Sequence, residues 1–184
     1  MAPPRGKPAA WFAVLLLFAA LLPMAGAGAA ASLANPVKAT YLYKFVPFVE
    51  WPPAAFASPA QPVVLCILGG DPFGAVLDQA VRGQKIGARP ITVRRLARAE
   101  KADGCHVLYL SSPRAPAAAD ALQSAHGAPV LTVTDEAEGA GGIVTFVLRD
   151  NRLRFMIDTQ AAAANGLTIS SKLLSLALDP RMGK

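Results

Sequence analysis

Few side chains in this chain are placed to do chemistry. The apolar run Val63-Val64-Leu65-Cys66-Ile67-Leu68 ends in Gly69-Gly70-Asp71-Pro72-Phe73-Gly74. A strand that feeds a helix through glycines can present backbone N–H groups to a phosphate. These glycines make neither G-x-G-x-x-G nor a Gly-Lys-Ser/Thr P-loop, and Asp71 puts a negative charge where a phosphate would sit. The stretch therefore predicts a plain strand-to-helix turn, with Asp71 or Pro72 starting the helix. Histidine occurs twice, as His106 beside Cys105 at the head of an apolar strand and as His126 at a helix end. His106 reads as structural, and a cation at 126 suits the helix dipole. A zinc site needs three or four clustered ligands, and the sequence offers no such cluster. Counting alone leaves a Ser-His-Asp triad open. No G-x-S-x-G elbow is present, however, and Ser170 or Ser171 is explained more simply as the cap of a final helix. The expectation is a protein that is not an enzyme and binds no cofactor or metal.

The remaining reactive groups are two cysteines, Cys66 and Cys105. An even pair in an exported chain reads as a disulfide, here a staple between two strands; the alternative is two buried free thiols. Closing so long a loop is worth on the order of 4 kcal/mol by chain entropy.

Export is read from the first residues. Arg5 and Lys7 precede the apolar run Trp11 to Leu22, and Ala25 to Ala31 holds several A-x-A cleavage patterns. Residues 1–31 thus predict a cleaved secretory signal peptide, with a retained membrane anchor as the alternative. Residues 32–184 then form one α/β domain, long enough to bury a core of its own. Of 18 basic residues, removal of Arg5 and Lys7 leaves 16 against 12 acidic ones, so the formal charge falls from +6 to +4. The basic residues are scattered apart from Arg94, Arg95 and Arg98, which argues against a nucleic-acid groove. That trio reads as a solvated surface rather than an anionic partner site. No second apolar span follows, and no cysteine lies near the cleavage site to carry a lipid. The predicted destination is the bacterial periplasm.

Four strands, a closing hairpin and the helices between them must position whatever site exists. Val37, Tyr41, Phe45 and Phe48 recur at helical spacing across residues 35–49, an unusually aromatic helix that either seals the sheet or offers a binding surface. After Val63–Leu68 and its helix come strands at Ile91–Leu96, near a sheet edge, at Cys105–Leu110 and at Val130–Thr134, with an alanine-rich helix over Ala115–Ala125. Gly141-Gly142 opens Ile143–Leu148, and Arg149-Asp150-Asn151 turns it into Arg152–Ile157, a β-hairpin. Asp158-Thr159 caps a short alanine helix ending at Asn165-Gly166, and residues 172–178 predict a last helix. The architecture expected is a three-layer α/β/α sandwich, its sheet mainly parallel with a C-terminal antiparallel hairpin at one edge.

Several of these stretches together resemble the YfiR family of periplasmic proteins. They are Val37-Lys38-Ala39-Thr40-Tyr41-Leu42-Tyr43-Lys44-Phe45 with Phe48-Val49-Glu50-Trp51-Pro52, Cys66-Ile67-Leu68-Gly69 with Asp71-Pro72-Phe73-Gly74, Cys105-His106-Val107-Leu108-Tyr109, and Gly141 to Phe146. Arg154-Phe155-Met156-Ile157-Asp158 and Gly166 to Leu174 complete the match, which runs in order along nearly the whole exported chain. The resemblance implies a repressor that binds the periplasmic sensor region of an inner-membrane diguanylate cyclase and lowers cyclic di-GMP and biofilm formation. It also implies possible sequestration by an outer-membrane lipoprotein, and allows a homodimer. Family proteins can carry a second disulfide near the Gly-Gly hairpin; this chain has no cysteine there, so redox control by that bond does not carry over.

Candidate partner-binding residues fall in three places: Tyr41, Tyr43 and Lys44 of the first helix, Gly70, Asp71 and Phe73 of the glycine loop, and the Ser170-Ser171-Lys172 turn. A periplasmic small-ligand sensor or carrier acting on another membrane signalling partner is the second reading. A hydrolase using Ser170, Ser171 or Asp71 is the third.

Overall fold

A computed structural model describes residue 2 and residues 27–98, 103–111, 116–136 and 141–179, with the side chains of the first helix from residue 34 onward. The predicted leader up to residue 26 lies outside the described residues, apart from residue 2. Helix α1 (Ala27–Lys44) passes through the short 3-10 turn Val46–Phe48 into β1 (Val49–Glu50). A second 3-10 turn, Pro53–Ala55, precedes β2 (Val63–Leu68), α2 (Ala75–Val81), β3 (Lys85–Ile86) and β4 (Arg89–Leu96). Then come β5 (Val107–Leu110), α3 (Pro116–Ala125), β6 (Leu131–Asp135), β7 (Val144–Arg149) and β8 (Arg152–Ile157). The chain closes with α4 (Thr159–Ala164), β9 (Thr168–Ile169) and α5 (Ser171–Leu174).

The main sheet has seven strands in the order β3-β4-β2-β5-β6-β7-β8. Strands β4, β2, β5, β6 and β7 run parallel, and β3 and β8 add antiparallel edges. Alternation along the strands sends side chains to two layers. Val63, Leu65 and Ile67 of β2 face α1 and α2 with Val107, Tyr109, Phe146 and Phe155. Cys66, Leu68, Leu108 and Leu110 face α3, meeting Ala118, Ala121 and Ala125. Helices on both faces make the three-layer sandwich, mainly parallel with an edge hairpin.

Small residues set the close contacts. In the β7–β8 turn, Asp150 and Asn151 take φ of 49° and 59°, which a two-residue hairpin loop requires and short polar side chains tolerate. A Cβ at Gly142 would stand 2.8 Å from the Thr132 carbonyl oxygen. The bare backbone instead lets Gly142 N–H donate to Thr134 Oγ1 and Ile143 N–H to Thr132 Oγ1, locking β7 to β6.

Several boundaries differ from the sequence reading. Helix α1 starts at Ala27, not Asn35, because the alanine-rich run is strongly helix-forming and Pro36 is tolerated within it. Helix α2 starts at Ala75 with Gly74 as its N-cap, rather than at Asp71 or Pro72. The Asp71 carboxylate is used locally instead, accepting from Phe73 N–H at 2.8 Å. The closing helix is only Ser171–Leu174: Leu178 leaves it to form a parallel bridge with Met156, donating its N–H to the Phe155 carbonyl at 2.8 Å. Asp158 does cap α4, accepting from Gln160 and Ala161 N–H.

Candidate functional site

Helix α1 lies across the face of the sheet, and its second half, from Asn35 to Lys44, divides the candidate residues between two places. Near the glycine loop, Asn35 Nδ2 donates to the Pro72 carbonyl at 3.0 Å, and Lys38 pairs with Asp135 at 2.7 Å. Asp135 also accepts from the Tyr109 hydroxyl at 2.9 Å. Burial raises the Tyr109 pKa, and the Asp135 charge raises it further, so this phenol stays protonated. At the far end, the Phe48 carbonyl accepts from Ser170 N–H at 2.9 Å, and β1 pairs with β9 as a small separate sheet. Asn35 and Lys44 are nine residues apart on α1, about 14 Å along a helix. The glycine loop and the Ser170 turn are therefore two places, not one.

In the loop, Gly70 is exposed with open space around it. Asp71 holds Arg95 at 2.6 Å, and Arg95 reaches Asp78 at 3.0 Å. Burial by itself would raise the Asp71 pKa, but the hydrogen bonds from Arg95 and from the Phe73 and Gly74 N–H groups outweigh it and leave the carboxyl below its ordinary value. Phe73 is buried, its ring 4.9 Å from that of Tyr109. The loop is thus tied down by its own side chains. Of the arginines singled out in the sequence, Arg95 closes the loop, while Arg94 turns elsewhere, donating to the Asp103 carbonyl and lying 3.1 Å from Cys105 Sγ.

Of the helix residues, Tyr41 stacks on Phe45 at 5.6 Å and meets Phe155 edge-on at 5.8 Å, so much of its ring is spent on packing. Tyr43 is half-buried against the same core, and Lys44 is exposed at the helix end. At the turn, Ser170 caps α5 by accepting from Lys172 N–H at 3.2 Å, while Ser171 and Lys172 are exposed.

Three features escaped the sequence reading. Leu174 and Leu176 stand 37% and 64% exposed, large apolar side chains beside Lys172 where polar ones would be expected. Part of the signal was present: the adjacent positions 173 and 174 point about 100° apart on a helix, so α5 cannot bury both, while Leu176 lies beyond its end. The indole N–H of Trp51 is buried with no acceptor among the described residues, an unusual cost for a donor.

Chemistry requires free polar groups, and here the best candidates are occupied. His106 Nδ1 accepts from Val64 N–H at 3.0 Å and Nε2 faces the Ala55 carbonyl at 3.0 Å, so neither nitrogen is available as a base. Desolvation lowers its pKa; the bond to Ala55 opposes this and the Arg89 charge adds to it. Among the described residues no three His, Cys, Asp or Glu side chains gather as metal ligands. Cys66 and Cys105 form the disulfide, buried under α3.

A family model described as YfiR/HmsC-like matches residues 35–178, from the start of the aromatic part of α1 to the Leu178 bridge. The chain belongs to the YfiR/HmsC-like family. No curated protein matches it significantly. The matched span of this YfiR/HmsC-like chain includes α1 from Asn35 onward, the disulfide and the Ser170 turn. No helix among the described residues is long and apolar enough to cross a membrane.

Proposed function

We propose that this protein is a periplasmic regulatory binding protein that represses an inner-membrane diguanylate cyclase through the cyclase's periplasmic sensor region, lowering cyclic di-GMP and biofilm formation. Family membership supports a regulatory rather than catalytic role. The observation that carries the reading is the closing segment after the Ser170 cap, where Leu174 and Leu176 are uncovered in the same short stretch as the exposed Lys172, which suits a protein–protein contact. Repression then means tighter binding to the inactive cyclase than to the active one, since only differential affinity shifts a two-state partner. An outer-membrane lipoprotein that competed for the same segment would relieve it.

The test is direct binding of the exported protein to the periplasmic segment of the membrane cyclase, with cellular cyclic di-GMP measured with and without the gene. Binding with raised cyclic di-GMP on deletion supports the repressor. Absence of both, with thermal stabilisation by a metabolite instead, moves the reading to a small-ligand sensor.

A further inference from the structure

The outer edge of the sheet carries a second surface, whose reading is independent of which membrane protein is the partner. Strand β8 pairs with β7 through a two-residue loop, so Arg149 and Arg152 form a hydrogen-bonded pair, as do Val147 with Arg154 and Thr145 with Met156. Leu153 and Phe155 therefore turn their backbone groups outward. One of these is used: the Phe155 carbonyl accepts from Leu178 N–H. The N–H and C=O of Leu153 and the N–H of Phe155 have no partner among the described residues.

Beside this edge runs a groove of about 320 Å³, lined by Asp150 of the hairpin turn, by Arg152, Arg154 and Met156 of β8 and by Leu178 and Asp179. Arg149, at the same rim, is already neutralised by Glu136 through bonds of 2.9 and 2.6 Å. Arg152 and Arg154 are exposed and have no ion pair among the described residues. As residues i and i+2 they project from the same face of β8. An unpaired strand edge with two unneutralised cations at strand spacing is complementary to an extended chain that carries carboxylates at alternate positions.

We propose that the edge of β8 from Arg152 to Phe155 takes an extended acidic segment of a partner protein as an added strand, with alternate carboxylates facing Arg152 and Arg154. Charged side chains on a free edge also deter unspecific pairing. Here they act as a filter: a neutral or basic strand leaves both guanidiniums unpaired or repelled, and only an acidic one neutralises them. The existing bridge at Met156–Leu178 shows that this edge accepts a strand-like neighbour, and it marks where the added strand must stop.

The experiment uses the protein as the cell exports it and a blocked peptide that alternates Glu and Thr, with the Gln–Thr peptide as its control. Fluorescence anisotropy reads affinity, and amide hydrogen exchange reads Leu153 and Phe155. The Glu peptide is expected to bind about five- to tenfold more tightly than the Gln peptide, to slow exchange at both amides, and to lose this advantage in R152E/R154E and partly in R154Q. Equal binding of the two peptides, binding without protection of the two amides, or no binding overturns the proposal. Competition by inorganic phosphate at the same concentration as the peptide overturns it in favour of a simple anion site. Protection that grows with protein concentration in the absence of peptide overturns it in favour of a second copy of this chain.

Discussion

Phe56 and His106 lie ring on ring, 4.3 Å between centroids and 12° from parallel. The other face of Phe56 carries the Arg89 guanidinium, 3.8 Å from the ring centroid. Arg89 in turn donates to the Ser58 and Gln61 carbonyls, and His106 to that of Ala55. This stack clasps the segment between β1 and β2 onto the sheet, and it requires a neutral imidazole. A proton on Nδ1 would remove the acceptor that Val64 N–H now uses and set a cation beside the Arg89 side of the stack.

Stability should therefore depend on pH through His106. Its folded pKa lies below the ordinary value of about 6.5, so above that pH the contribution is complete. As pH falls below about 6.5 the unfolded chain binds a proton that the folded chain refuses, and stability drops until the folded pKa is passed, by at most about 1.4 kcal/mol per pH unit. Among the described residues the charged groups facing the ring are Arg89 of β4, which works in the same direction, and Asp103 across the adjoining cavity. Urea unfolding between pH 7.5 and 5, read as about 0.5-unit steps, should show the decline. His106→Ala should flatten it while costing about 2–4 kcal/mol at pH 7.5, from a void and two unpaired backbone groups. An equal slope in both proteins would show that His106 is not the titrating group.

The disulfide should act mainly on the unfolded chain. Cys66 and Cys105 are 39 residues apart and both buried. The Cys66→Ala/Cys105→Ala protein is expected to lose about 4 kcal/mol by loop entropy, less any strain relieved. Denaturant titration of oxidised protein and the double variant measures it. Because the sulfurs sit under α3, reduction by dithiothreitol should follow local opening rather than reagent concentration.

Asp158 makes two cap bonds at 2.9 Å, to Gln160 and Ala161 N–H, at the start of a helix of only six residues. Asp158→Ala is expected to cost about 1 kcal/mol, and Asp158→Asn considerably less. Thermal unfolding of the two variants distinguishes loss of the cap from loss of charge.

The closing segment after Ser170 should separate binding from stability. Lys172→Glu and Leu176→Ser alter exposed side chains, so unfolding should shift by no more than about 0.5 kcal/mol. Affinity for the cyclase segment should fall about tenfold or more in the pair of substitutions. Variants that bind like the parent would place the contact elsewhere on the protein.

Much of the local structure was legible without coordinates. The apolar run at 63–68, the alternation at 91–96, the Asp150-Asn151 turn and the Asp158 cap are short-range statements, each settled by sterics or hydrogen bonds within a few residues. The α/β class followed from their order, and so did the edge hairpin. Helix starts were less legible. Alanine favours helix on either side of Pro36, and a glycine N-cap at 74 leaves no side-chain signature.

What the tertiary structure decided is which of the singled-out residues remain available. By type alone Tyr41, Phe73, Lys172 and Leu176 were all eligible surface or core residues, and His106 read as structural without its partners being known. Strand order placed β4 and β5 on either side of β2, and that arrangement brought Tyr109 under Phe73 and Phe56 against His106. The amino-acid sequence by itself determined the elements, because their periodicity and caps act over a few residues. Exposure at Lys172 and Leu176, and the free backbone of β8, depend on what the distant chain does or does not cover, which is a sum of long-range contacts that no local pattern contains.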